Sequence, residues 1–445
     1  MTLSLGGLFY LFWRVADLHS RAAPRGSANL LNPVTIIDPK TGVASANCAY
    51  DASKGLARLE TDTNKIMIGY SLAWEYEVPS KIVSKLSGYQ PPVFNAFMQI
   101  RPTWIASNTF KGLAFDNDTL NWFGSECGRT GSMLELTLEP LEGIDVLTQD
   151  MYDSVAIALT EINVKYGVPV FLRWAHEMNG NWILYGYKPT QFIQSFRTMA
   201  AAVRARTNMT AMVWGPNNGI AYPFGDSTLS KPLPSDPEFA VLDTNKDGVF
   251  DSLDDPYTPY YPGDDVVDWV AVSLYYYPLA ECFNCPIPST YFHDYLTGSG
   301  PVLNRVVDNP NAAYSAVHNF YAMFSGDTVH KKPLMLPETG APYFQAWANH
   351  DASSVSENTI KSAWWNQILN TDTLRTYPKL KMAINYEDGK GTDPFQTGAN
   401  ILTDWKVTNT TSQLNMWIPL LNGFKSNMLE ASQLVYGCDG SVKVV

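Results

Sequence analysis

Ten consecutive residues, Arg173-Trp-Ala-His-Glu-Met-Asn-Gly-Asn-Trp182, bring together an arginine, a histidine, a carboxylate, two amides and two indoles. A carboxyl that keeps its proton can protonate a glycosidic oxygen, amides can hydrogen-bond hydroxyls, and indole faces can lie against sugar rings. A second carboxylate, Glu338, ends the apolar run Pro333-Leu-Met-Leu-Pro337. Two carboxyls about 5–5.5 Å apart, one acid/base and one nucleophile, are what a retaining glycosidic cleavage needs, and Glu338 is the natural partner for Glu177. His-Glu also opens a zinc-protease motif, but that motif needs a second histidine four positions after the first, and position 180 is Gly. The plain alternative is an ion pair between Glu177 and Arg173. Glu338 at a second strand end weighs against it, and Arg173 is then a candidate to keep a nearby carboxylate charged. In such a pair the acid would need a raised pKa and the nucleophile would remain ionised.

Both carboxylates follow short apolar runs that read as buried strands. Val168-Pro-Val-Phe-Leu172 leads into the ten-residue stretch as strand four, and Pro333–Glu338 is strand seven. The others read as Ile66–Ser71, Val93–Ile100, Met133–Leu138, Thr210–Trp214, Asp268–Tyr275 and Leu380–Tyr386. Helical spacing over Leu147–Tyr166 stops at Gly167, Thr190–Arg206 is a further helix, and Gln413–Leu421 reads as the last. Eight buried strands separated by helix-length segments predict one closed (β/α)8 TIM barrel with loop insertions over residues 46–445, its site at the C-terminal strand ends. Residues 1–45, with the apolar stretch Leu3–Trp13, read as a targeting or pre-domain segment too short for a transmembrane helix.

The insertion after strand five holds Asp243, Asn245, Asp247, Val249, Asp251 and Asp254, with Gly248 at the sixth position. Oxygen donors at loop positions 1, 3, 5, 7, 9 and 12 form the pattern of an EF-hand calcium loop, with Asp in place of the usual Glu at 12. An acidic solvated turn is the simpler reading. No helix pair flanks the loop, so the expectation is a structural Ca2+ clip rather than a sensor, with no cofactor for catalysis.

A net charge of −12 argues against nucleic acid and anionic membranes as partners and leaves room for a neutral polysaccharide. The mature domain is expected to be monomeric, with no membrane partner. Cys282 and Cys285 form a C-x-x-C followed by Pro286-Ile-Pro288, which suits a local loop disulfide better than a redox helix or a zinc ribbon. Cys48 and Cys438 are candidates to tie the ends together and leave Cys127 free, although sequence does not fix connectivity. Sequons at Asn117, Asn208 and Asn409, taken with the cysteines, lean toward a secreted glycoprotein.

The chain resembles glycoside hydrolase family 26, best known for endo-β-mannanases. The resemblance rests on Arg173–Trp182, Val213-Trp-Gly-Pro-Asn217, Tyr261-Pro-Gly-Asp264 leading into Val267–Val270, Pro337-Glu-Thr-Gly340 and Asp404-Trp405. It implies Glu177 as acid/base and Glu338 as nucleophile of an endo-1,4-β-mannosidase-like enzyme. It also implies His176 beside the acid/base, Tyr275 near the nucleophile, and Trp182 and Trp405 as aromatic subsites. Arg173, Asn179 and Trp214 complete the expected substrate-binding set, with barrel core as the alternative for Trp214. Three positions depart from the family pattern. Ile183-Leu184-Tyr185 replaces an aromatic run, Ser273 replaces an acidic residue, and the nucleophile is flanked by Pro and Thr. The resemblance makes β-1,4-mannan the first substrate expected, and these departures leave room for others. β-1,3-Xylan, mixed-linkage β-glucan or a non-catalytic sugar-binding barrel are the alternatives.

Overall fold

The computed structural model describes residues 48–224, 228–278, 282–303, 318–345, 352–390 and 402–445. The segment 1–45 lies outside them. Eight parallel strands follow one another: β1 Ile66–Leu72, β2 Val93–Ile100, β3 Met133–Pro140, β4 Val170–Trp174, β5 Thr210–Trp214, β6 Trp269–Ala271, β7 Leu334–Gly340 and β8 Leu380–Glu387. Each pairs in parallel with the next, and β8 also pairs with β1, which closes the predicted (β/α)8 barrel. All seven residues of β1 and all five of β4 are buried. Both faces of each strand are covered, so the strands read as unbroken apolar runs. Strand six was expected to run from Asp268 to Tyr275. It stops at Ala271 and resumes for Leu274–Tyr275 alongside β7.

The helices of the outer layer are α1 Pro79–Lys85, α2 Asn117–Thr130, α3 Gln149–Tyr166, α4 Pro189–Arg204, α5 Tyr291–Thr297, α6 Glu357–Ile368 and α7 Thr411–Phe424, among shorter turns. Their ends follow local chemistry. The Asp116 side chain accepts the Thr119 N–H to start α2, and Gly167 takes φ +66° to end α3 where the sequence places its stop. Thr410 and Gln413 form a reciprocal capping box before α7. Between β5 and β6 no helix of ordinary length appears among the described residues. Only Phe239–Leu242 and Thr258–Tyr260 are helical there, and the acidic loop occupies the space between them.

Strand alternation sorts the side chains. Met67, Val93, Met133, Phe171, Trp269 and Met335 share one cluster inside the barrel. Their strand neighbours Ile66, Leu134, Leu172 and Leu334 join the larger cluster between strands and helices. Leu434, Tyr436 and Val442, from a C-terminal hairpin, belong to the interior cluster and close its floor. Cys48 is joined to Cys438 and Cys282 to Cys285, and Cys127 is free and buried. Among the described residues no helix is long and apolar enough to cross a membrane.

Candidate active site

The apolar floor gives way to polar groups toward the C-terminal strand ends. On β4 the inward residue after Phe171 is Arg173, which is wholly buried. Its Nη1 donates to Glu338 Oε1, and its Nη2 donates to Ser273 Oγ at 2.6 Å. Gly215 makes room for it, because a Cβ there would stand 2.7 Å from Arg173 Nε.

Glu338 reaches this arginine through an irregularity in β7. Ala271 pairs with Met335 and Leu274 with Thr339 on one side. Ala383 pairs with Leu336 and Asn385 with Thr339 on the other. Against each neighbour β7 thus carries one extra residue before Thr339, after Met335 on one side and after Leu336 on the other, which is a β-bulge. Met335 faces inward, so regular alternation would aim Pro337 and Thr339 at the interior. The extra residue instead turns Glu338 inward and Thr339 outward, where its Oγ1 accepts from Trp364 of α6 at 3.1 Å. The Tyr275 hydroxyl donates to Glu338 Oε2 at 3.0 Å. Burial alone would raise the Glu338 pKa, but the Arg173 charge and the hydrogen bonds from Arg173 and Tyr275 outweigh it and hold the carboxyl below its ordinary value.

Beyond β4 the chain leaves the sheet with Ala175 and Glu177 at φ +48° and +54°. Left-handed backbone at non-glycine residues costs roughly 1–3 kcal/mol each and persists only where the surroundings enforce it. Here the Glu177 N–H donates to the Gly215 carbonyl at 2.9 Å. The carboxylate accepts from Asn217 Nδ2 at 2.8 Å and from Trp182 Nε1 at 3.0 Å. Burial first, then the charge of Glu338, raise its pKa, against Arg173 and hydrogen bonds from Ser273 and Asn217. One carboxyl is pushed toward the acid form and its neighbour toward the anion, the division of labour of an acid and a nucleophile. A Glu177 oxygen, a Glu338 oxygen and a ring nitrogen of His176 all lie within 4.8 Å of one another.

The remaining expected substrate contacts divide. His176 is buried beside the pair, and burial and Arg173 lower its pKa to about 3, so its ring is neutral. Trp182, Tyr275 and Trp405 meet the site or its rim. Trp405 is ringed by Tyr275 and Tyr386, on a segment paired with Tyr343–Phe344 and Gly389–Lys390. Arg173, Asn179 and Trp214 are instead wholly buried and engaged within the protein. Arg173 spends its guanidinium on Glu338 and Ser273. Asn179 is fully buried and exchanges both amide groups with the Asn217 backbone, at 2.9 Å each way, so it positions the residue that holds Glu177. Trp214 follows the inward Val213, points outward, and sits against Tyr261, Phe320 and Phe324 in the helix layer.

Four residues were missed as site members. Asn217 stood in a quoted motif and is the direct partner of Glu177. Ser273 was noted only as a departure. Glu135 of β3 lies wholly buried inside the barrel, accepting from Asn95, and burial raises its pKa to about 7. Nothing in the local sequence marks it except a charge inside an apolar strand. Tyr277, half exposed just past Tyr275, carries no signal in the sequence beyond an aromatic after a strand end.

The acidic loop keeps its predicted turn, with Gly248 at φ +84°. Asp243 accepts from the Asp247 and Gly248 N–H groups, and Asp254 from those of Thr244, Asn245 and Asp251. Among the described residues only His176, Glu177 and Glu338 form a group of three or more metal-binding side chains at ligating spacing.

Residues 61–225 match the model of glycosyl hydrolase family 26. The resemblance drawn from the motifs holds over this stretch, which carries β1 to β5, Glu177 and Asn217. The match covers this segment and is to a family of glycosyl hydrolases. No curated protein matches the chain. Among solved structures the chain is similar to an endo-β-1,4-mannanase double mutant from Cellulomonas fimi, at 15% identity and a TM-score of 0.45, over 90% of this chain and 82% of that one. It is also similar to a GH26-CBM35 β-(1,4)-mannanase from Podospora anserina, at 14% identity and a TM-score of 0.40, over 91% and 72%. The barrel itself rests on its own strand order rather than on these likenesses.

Proposed function

We propose that the protein is a retaining, endo-acting hydrolase of β-linked polysaccharide, with β-1,4-mannan as the first substrate to test. The observation that carries the reading is the spacing of the two carboxylates, within 4.8 Å at their nearer oxygens. That is the close spacing of a nucleophile and an acid/base, and an inverting pair stands roughly 6.5–9.5 Å apart. Glu177 protonates the leaving oxygen while Glu338 attacks the anomeric carbon, and Glu177 then takes a proton from the water that releases the sugar. β-1,3-Xylan and mixed-linkage β-glucan are the other substrates the same site would serve. A sugar-binding barrel without activity fits less well, because such a barrel has no use for two carboxyls with opposed pKa shifts.

Purified protein incubated in parallel with the three glycans should release reducing ends from one of them, with products of mixed length. Release from β-1,3-xylan alone would overturn the mannan assignment and keep the mechanism. The rate should fall at both ends of the pH range. It drops as pH falls through the depressed Glu338 value and again as pH rises through the raised Glu177 value. A Glu177→Gln variant with a wild-type profile of kcat/KM against pH would remove Glu177 from the acid role.

The same reading includes a structural calcium ion at Asp243, Asn245, Asp247, Asp251 and Asp254 and the Val249 carbonyl. All are oxygen donors suited to a hard cation, and the glycine turn matches. An ion bound only to the folded protein raises stability by mass action. Chelator should therefore lower the melting temperature, and a doubly substituted Asp243→Ala, Asp247→Ala protein should no longer respond to it. Identical melting curves with and without chelator would end the idea. With its two disulfides the protein suits an oxidising, extracellular setting.

A further inference from the structure

We propose that Tyr277 forms the sugar-stacking wall of the cleft on the nucleophile's side, binding one pyranose ring of the glycan. The inference rests on the glycan-hydrolase reading above and adds a contact to it.

Three observations support the assignment. The first is direction. Past Ala271 the chain keeps its alternation, so Tyr275 and Tyr277 share one side and Tyr276 takes the other. Tyr276 is buried against Tyr291 of α5, with ring centroids 4.9 Å apart. The Tyr275 ring lies on the Glu338 side, its hydroxyl bonded to that carboxylate, and the Tyr277 ring stands 5.9 Å from it, tilted by 56°. The second is exposure. Tyr277 is 46% exposed, while Tyr275 is partly covered and Tyr276 buried. About half of its surface is therefore open to a ligand.

The third is rigidity. The Tyr277 N–H donates to the Tyr291 hydroxyl at 3.1 Å, and that hydroxyl donates back to the Tyr277 carbonyl at 3.3 Å. Tyr291 is itself stacked on Tyr295 with centroids 4.0 Å apart. An open aromatic on a pinned backbone loses little freedom when a ligand covers it. The C–H face of a pyranose is the matching ligand, because stacking buries carbon without stripping water from many hydroxyls. Trp182, its indole N–H on Glu177, stands on the acid/base side.

The test uses the full chain and whichever of the three glycans wild type cleaves. Tyr277→Ala should raise KM on oligosaccharides about threefold to tenfold, the range expected of one lost aromatic contact. kcat should stay within about twofold, and the melting temperature should not move. Tyr277→Phe and Tyr277→Trp should restore KM. In a Glu177→Ala background, where substrate is not turned over, the same Tyr277→Ala change should weaken oligosaccharide binding in calorimetry by a similar factor. Unchanged KM and Kd in the alanine variants would overturn the assignment of Tyr277 and leave the two-carboxylate mechanism intact. A lowered melting temperature with no recovery of KM in Tyr277→Phe or Tyr277→Trp would make the ring structural and overturn it equally. Wild type that cleaves none of the glycans would remove the reading on which the inference rests.

Discussion

Replacing Glu338 by alanine is expected to lower hydrolysis of an activated aryl β-glycoside by roughly four orders of magnitude or more, because in the proposed mechanism Glu338 supplies the attack on the anomeric carbon. Azide should then restore turnover. The small anion fits the space the carboxylate leaves, attacks from the same face, and yields a glycosyl azide of inverted configuration. The rescue separates lost chemistry from lost fold, since an unfolded variant has no site for azide to fill. An alanine variant with wild-type activity would show that Glu338 is not the nucleophile. A variant that is inactive with and without azide, yet melts like wild type, would leave the retaining route unsupported.

The second large effect belongs to Arg173. Removing one member of a buried ion pair leaves the other charged and unpaired, at a cost of about 3–5 kcal/mol. Arg173→Met should destabilise the protein by that order at neutral pH. The sign with pH follows from Glu338. Its carboxyl pKa is depressed in the fold, so its ionised state contributes stability above the ordinary carboxylate pKa. That contribution is lost as pH falls through the depressed value. In Arg173→Met the orphaned Glu338 is expected to protonate more readily, so the stability gap to wild type should narrow as pH is lowered. Denaturant unfolding at neutral and at acid pH measures this. A gap of the same size at both would mean that the arginine matters by its bulk and not by its charge.

Much of this arrangement was legible in the chain, for identifiable reasons. Buried strands covered on both faces leave continuous apolar runs, so β1 to β5, β7 and β8 were readable within a residue or two. An abrupt change to polar chemistry at the ends of β4 and β7 marked Glu177 and Glu338. Orientation was harder. Trp214 could have been placed by counting from Arg173 across the sheet, since Arg173 pairs with Val213 and the next residue must face the helices. Asn179 looked like a sugar ligand because nothing local reveals that its amide is taken up by the backbone of Asn217, 38 residues away. The missing helix between β5 and β6 was hidden by segment length alone. Tyr277 was passed over because an aromatic beside a strand end has many ordinary uses, and its pinning by Tyr291 comes from a separate helix.

The extra residue in β7 makes the inward placing of Glu338, the proposed nucleophile, a matter of odd and even. Every other property of Glu338, its neighbours in sequence and the apolar run before it, is indifferent to which side of the sheet it falls on. Deleting Pro337 would leave the carboxylate and the strand's composition in place yet flip the reading frame of inward and outward, sending Glu338 toward Trp364 and the helix layer. A relative that keeps the Pro-Glu-Thr-Gly letters but has lost one residue upstream in the strand would look intact in an alignment and be inert. In this barrel, the length of β7 matters as much to the proposed site as the glutamate it carries.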